Sequence, residues 1–140
     1  MRYDQRLNFE NISEEINHLR NSLLAYKANI ISAYLFGSVA RGETRPLSDI
    51  DFAYLLAYDN DKIEASIYKL VTSAFGTDKV DFVNLKDAPL SLQYQIIKEG
   101  TKIITGNETA RVNFETSVIM NYLDFQPLRK EFYEEFLKAL

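Results

Sequence analysis

A chain of 140 residues suits one domain with a buried core, and 46% hydrophobic with 26% charged residues is the balance of a globular protein rather than a disordered one. A formal net charge of −4 excludes a broad basic field for a nucleic-acid backbone, so no direct nucleic-acid binding is expected. With no cysteine in the chain, disulfides, thiolate metal sites and cysteine nucleophiles are excluded.

Residues 1–6 contain no apolar secretory core, and no run approaches the length of a membrane span. A cytoplasmic protein with no membrane partner is therefore expected. No repeat, low-complexity segment or Pro/Gly-rich linker marks a boundary, so residues 1–140 are read as one domain. Asn11 is expected to cap a first helix, with Glu14 three residues later as in a capping box. Ile12, Ile16, Leu19, Leu23 and Leu24 recur at helical spacing to about Lys27. His18 lies beside this stripe with no other motif element near it, and is read as a surface or boundary residue.

The apolar run 30–36 reads as a buried strand. Gly37-Ser38 breaks it, with Ser38 as the cap of a short helical turn to Gly42. Arg45-Pro46 then demands an extended or turning backbone, and a second strand runs from Asp49 to about Leu56. Asp59, Asn60 and Asp61 lack the glycine and terminal glutamate of a calcium loop and read as turn formers and a helix cap. A helix over 63–75 buries Ile63, Ile67, Leu70, Val71 and Ala74, and Gly76 ends it. Residues 79–85 form a third strand. A helix starts at Pro89, runs to about Lys98 and closes at Gly100. Residues 101–105 form an edge strand, and Asn107 caps the last helical region. Pro127 is expected to break or kink that region, leaving a final helix with Leu128, Phe132, Phe136 and Leu140 at spacings of four. The aromatic stretch 122–128 either packs on the core or meets another chain. The expected architecture is α/β (α+β): a small mixed sheet of about four strands flanked by helices, most of them on one face.

Chemistry concentrates at residues 37–51. A strand alternates its faces with period two, so Asp49 and Asp51 point the same way while Ile50 and Phe52 point into a core. Two carboxylates so placed repel unless a cation lies between them, and oxygen ligands suit Mg²⁺. Backbone N–H groups and a hydroxyl at Gly37-Ser38 suit phosphate oxygens. On the third strand Lys79, Asp81 and Val83 share a face, so Asp81 can join the pair if the two strands are neighbours. Arg41, and more weakly Arg45, are candidates for holding phosphates.

The pattern Gly37-Ser38, ten residues, Asp49-x-Asp51 resembles the signature of the nucleotidyltransferase superfamily with the polymerase-beta-like fold. Over roughly residues 11–140 the chain is similar to its MNT-type minimal members. The resemblance implies Asp49, Asp51 and Asp81 as catalytic residues and ligands of two Mg²⁺ ions, ATP as substrate, and Gly37, Ser38 and Arg41 as phosphate contacts. It also implies an antitoxin that transfers AMP to a tyrosine hydroxyl of a HEPN-domain ribonuclease toxin, its partner in a hetero-oligomeric complex. Two rivals remain: a nucleotidyltransferase acting on a small molecule such as an aminoglycoside, and an antitoxin that masks its toxin through the C-terminal helix without catalysis.

Overall fold

The computed structural model describes residues 9–37 and 49–139. In chain order they form α1 (Phe9–Leu23), a 3-10 turn (Leu24–Tyr26), β1 (Ile30–Phe36), β2 (Ile50–Leu56), α2 (Asp61–Phe75), β3 (Val80–Asn84), a 3-10 turn (Leu85–Asp87), α3 (Leu90–Glu99), β4 (Thr101–Thr105) and α4 (Glu108–Ala139).

The caps form where short polar side chains meet an apolar-periodic run. Asn60 Oδ1 accepts hydrogen bonds from the backbone N–H groups of Lys62 (3.0 Å) and Ile63 (3.1 Å), which fixes the start of α2. Gly76 closes α2 in the left-handed region, with φ +64°. Asn107 Oδ1 accepts from the Ala110 N–H at 3.0 Å and starts α4. Asn11 does not mark the start of α1: the helix already includes Phe9, two residues earlier. Nor does Pro127 divide the C-terminal region. The helix runs through it, because a proline removes one backbone donor and the remaining turns continue on either side.

The four strands form one mixed sheet in the order β3-β2-β1-β4. β1 pairs antiparallel with β2 and with β4, and β2 pairs in parallel with β3 through the crossover helix α2. Each face of the sheet has its own core. On one face Phe52, Tyr54 and Ile50 pack with Leu19 and Leu23 of α1 and with Ile67 and Val71 of α2. On the other face Tyr34, Ala53 and Leu55 pack with Leu85, with Ile96 of α3 and with Phe114 of α4. Helices thus cover both faces rather than mostly one, because the strands carry apolar residues at both phases of their alternation. Burying each large side chain contributes about 1.5–3 kcal/mol, so the sheet is held from two sides.

The β4 edge is guarded. Arg20 of α1 donates from Nε to the Ile103 carbonyl at 2.7 Å, occupying an acceptor that an added strand would otherwise use. Among the described residues no helix is long and apolar enough to cross a membrane.

Candidate active site

β1 ends at Phe36, and the chain turns at Gly37 with φ +76°. Phe36 is paired with Asp51 across the β1–β2 ladder, and Asp51 is paired with Asp81 across the β2–β3 ladder. The end of β1 and the two aspartates therefore form one row across the sheet.

Parallel neighbours in register point to the same side. Phe52 and Phe82, the next pair along, stack at 5.8 Å with their planes 7° apart on the α1–α2 side. Asp51 and Asp81 consequently share the α3–α4 side. Asp49 stands just before β2, exposed, two residues from Asp51 and in the same phase of the alternation. Asp81 is exposed as well, so the far end of this face is open to solvent.

Gly37 is the tightest element of the site. A Cβ built there would lie 2.0 Å from Asp51 Oδ2 and 2.9 Å from its Cγ. The hydrogen at that position leaves a hollow, and the Asp51 carboxylate fills it. The left-handed backbone and the missing side chain both call for glycine. Among the described residues, no group of three or more histidine, cysteine, aspartate or glutamate side chains is arranged to hold a metal ion. The row brings Asp51 and Asp81 together with Asp49 close in sequence, yet the carboxylates do not close around one point. Their chemistry, hard oxygen donors beside a glycine hollow at a strand end, fits a divalent cation such as Mg²⁺.

Ser38, Arg41 and Arg45 lie outside the described residues. His18 is exposed on α1, a helix of the opposite layer, and is not brought to the aspartates.

One group near the site was not legible in the sequence. Tyr34, two residues before Phe36 on β1, is buried at 1% exposure, and its hydroxyl donates to Glu115 Oε2 of α4. Arg111 Nη1 donates to Glu115 Oε1 at 2.9 Å, and Nη2 donates to Glu108. Ser32 Oγ, fully buried, donates to the Tyr34 hydroxyl oxygen at 3.2 Å. Burial first, and then the Glu115 carboxylate, hold the Tyr34 phenol above the ordinary tyrosine range. In the sequence Tyr34 is one aromatic residue in an apolar run, and nothing local announces a partner 81 residues away.

Comparison with known proteins identifies the family. The family model described as Polymerase beta, Nucleotidyltransferase matches residues 10–109, which include Gly37, Asp49, Asp51 and Asp81. No curated protein matches the chain. A chain of a toxin–antitoxin crystal structure with AMP-PNP is similar at 26% identity and TM-score 0.66, covering 87% of this chain and 98% of that one. A mutant MntA–HpeT toxin–antitoxin structure is similar at 25% identity and TM-score 0.67, again covering 87% and 98%. A structure of a tri-AMPylated Shewanella oneidensis HEPN toxin with its MNT antitoxin shares the fold, at 24% identity and TM-score 0.62 over 90% of this chain and 98% of that one. On the family match and on the row of aspartates beside Gly37, the chain belongs to the polymerase beta nucleotidyltransferase family.

Proposed function

We propose that this chain is the nucleotidyltransferase antitoxin of a toxin–antitoxin pair, and that it transfers AMP from ATP to a tyrosine hydroxyl of a HEPN-domain toxin. The observation that carries the reading is the in-register pair Asp51–Asp81 beside the Gly37 hollow. Support for the nucleotide comes from the similar structure with AMP-PNP, and support for the partner from the toxin–antitoxin complexes among the similar structures.

In this reading the attacking tyrosine oxygen forms a bond to the α-phosphorus, the bond from that phosphorus to the bridging oxygen breaks, and pyrophosphate leaves. Asp49, Asp51 and Asp81 would hold Mg²⁺, which supplies charge neutralisation for the phosphates. We assign acceptance of the tyrosine proton to Asp81, the most outlying of the three on the sheet, and the seating of Asp51 to Gly37. The N–H groups at residues 37 and 38, the Ser38 hydroxyl and the Arg41 guanidinium are assigned to the β- and γ-phosphates, where N–H donors and positive charge complement oxyanions.

The test uses the purified chain, ATP labelled at the α-phosphate, Mg²⁺ and the purified HEPN-domain protein encoded beside it. Label on that protein with wild type, and none with Asp49→Asn/Asp51→Asn, is the expected outcome. A stable complex with no label in either case would favour masking without catalysis. Label passing only to small hydroxyl compounds would favour the aminoglycoside-type reading.

A further inference from the structure

β3 is a short strand of five residues at the end of the strand order. Among the described residues it pairs with β2 alone, yet it carries Asp81 opposite Asp51. A slip of the β2–β3 pairing by one residue would turn Asp81 to the other face of the sheet. The Asp81 side chain is exposed, so its own packing does not prevent the slip. Val80 packs on the first core and Val83 on the second, so these two valines do not choose between the phases either.

Phe82 does choose. It points to the α1–α2 side, where three rings surround it. Phe52 of β2 stacks on it with centroids 5.8 Å apart and planes 7° apart. Tyr54 of β2 lies 4.5 Å away, tilted by 31°. Tyr68 of α2 meets it edge-on, at 5.4 Å and 84°. The crossover helix holds both tyrosines, since Tyr68 belongs to α2 and the Tyr54 hydroxyl donates to Glu64, one turn earlier on the same helix. Stacked and edge-to-face pairs depend on the placement of each ring. A one-residue slip moves β3 by about 3.3 Å and would put the Asp81 carboxylate or the smaller Val83 into this nest. A carboxylate there would lose its water without gaining a partner cation. The nest therefore accepts one register, the one that sets Asp81 opposite Asp51.

We propose that Phe82 is a positioning residue for the nucleotidyl transfer: clamped by Phe52, Tyr54 and Tyr68 behind the sheet, it sets Asp81 beside Asp51 in front of it. The proposal rests on the reading that these aspartates hold the divalent cation. Phe82 lies on the far side of the sheet from the carboxylates and acts through the backbone it shares with Asp81. A displacement of about 1 Å at a reacting group lowers a rate on the order of 10²-fold, so a partial loosening of β3 is enough to be read in kcat.

The experiment measures Mn²⁺ affinity in the presence of saturating AMP-PNP, and AMP transfer to the purified HEPN-domain protein, in wild type, Phe82→Leu, Tyr68→Leu and Phe75→Leu. Leucine at 82 keeps an apolar side chain and removes the ring. Tyr68 is 36% exposed, so Tyr68→Leu opens one wall of the nest from the surface and supplies a folded variant should Phe82→Leu not fold. Phe75 is buried in the same core outside the nest, and Phe75→Leu is the control for lost stability alone. The expected result for Phe82→Leu is at least a tenfold fall in kcat and at least a threefold fall in Mn²⁺ affinity. Tyr68→Leu should move both the same way by a smaller factor, and Phe75→Leu should leave both unchanged. Asp81→Asn should weaken Mn²⁺ binding, and adding Phe82→Leu to it should weaken it no further, because the side chain being positioned is already lost. Unchanged Mn²⁺ affinity in both ring variants, an equal loss in Phe75→Leu, or a full further loss on the Asp81→Asn background would each overturn the clamp. Wild type that binds Mn²⁺ but transfers no AMP would overturn the transfer reading, while loss of Mn²⁺ affinity in Phe82→Leu would still support the clamp. Wild type that binds no Mn²⁺ would overturn both.

Discussion

Replacing Gly37 by alanine separates catalytic geometry from stability. The new methyl carbon would sit 2.0 Å from Asp51 Oδ2, about 1 Å or more inside contact distance, and 2.9 Å from Cγ. The atom it meets is the end of a side chain, so the carboxylate swings aside rather than the strand giving way. Leaving its rotamer costs Asp51 about 0.5–1.5 kcal/mol, and an alanine at φ +76° costs about 1–2 kcal/mol more. The sum, about 1.5–3.5 kcal/mol, leaves a typical domain folded. Displacing a reacting carboxylate by about 1 Å lowers a rate on the order of 10²-fold. Gly76→Ala is the control: its φ of +64° brings the same kind of backbone strain at the end of α2, with no aspartate of the row beside it. Denaturant unfolding and labelled-AMP transfer, run on both variants, separate the two effects. Both should lose stability, by about 1 kcal/mol or more, and only Gly37→Ala should lose activity. A Gly37→Ala protein that transfers AMP at nearly the wild-type rate would refute the claim that the hollow seats Asp51.

Four further outcomes are expected. Gly106→Ala should unfold the protein or cost well over 2 kcal/mol by overpacking, because its Cβ would meet the backbone carbonyls of Ile30 at 1.9 Å and Lys27 at 2.3 Å, neither of which can rotate away; circular dichroism during a urea titration reports this. Glu115→Ala strands the buried Tyr34 hydroxyl and should cost about 1–3 kcal/mol in the same assay. Asn60→Ala removes the α2 cap and should cost about 1 kcal/mol, with AMP transfer unchanged. Stability should fall as pH rises above about 10, since the Tyr34 and Tyr54 phenols are held above that range by burial and by Glu115 and Glu64 respectively. The folded state then keeps protons that the unfolded chain has lost, so its advantage is full below pH 10 and shrinks above it. Tyr34→Phe should flatten this decline in unfolding measured across pH 9–12.

Local signals in the sequence led to most of the elements. The run 30–36 coincides with β1, Gly76 and Asn107 cap the helices they were expected to cap, and 101–105 is an edge strand. Each depends on chemistry within a few residues: a side-chain oxygen reaching a nearby N–H, or a glycine free to take positive φ. The alternation of Asp49, Asp51 and Asp81 told which residues share a face. It could not tell that Asp51 and Asp81 stand opposite each other, because register belongs to the pairing of β2 with β3 across the α2 crossover. The two-sided packing escaped for the same reason. Ala53, Leu55 and Val83 are apolar on the second face, and only the strand order reveals that α3 and α4 return to cover them. The break expected at Pro127 does not occur, since a helix already formed on both sides tolerates the loss of one donor. The hollow at Gly37 is contact between segments fourteen residues apart, and the sequence offered only the glycine itself.

The central claim is that these aspartates drive AMP onto a tyrosine of a HEPN-domain partner. Intact-mass measurement of that partner, after incubation with this chain, ATP and Mg²⁺, tests it most directly. The account predicts a mass gain of one or more whole adenylyl groups mapping to tyrosine, absent with Asp49→Asn/Asp51→Asn. An unmodified partner in a stable complex, or the same gain with the double variant, would contradict it.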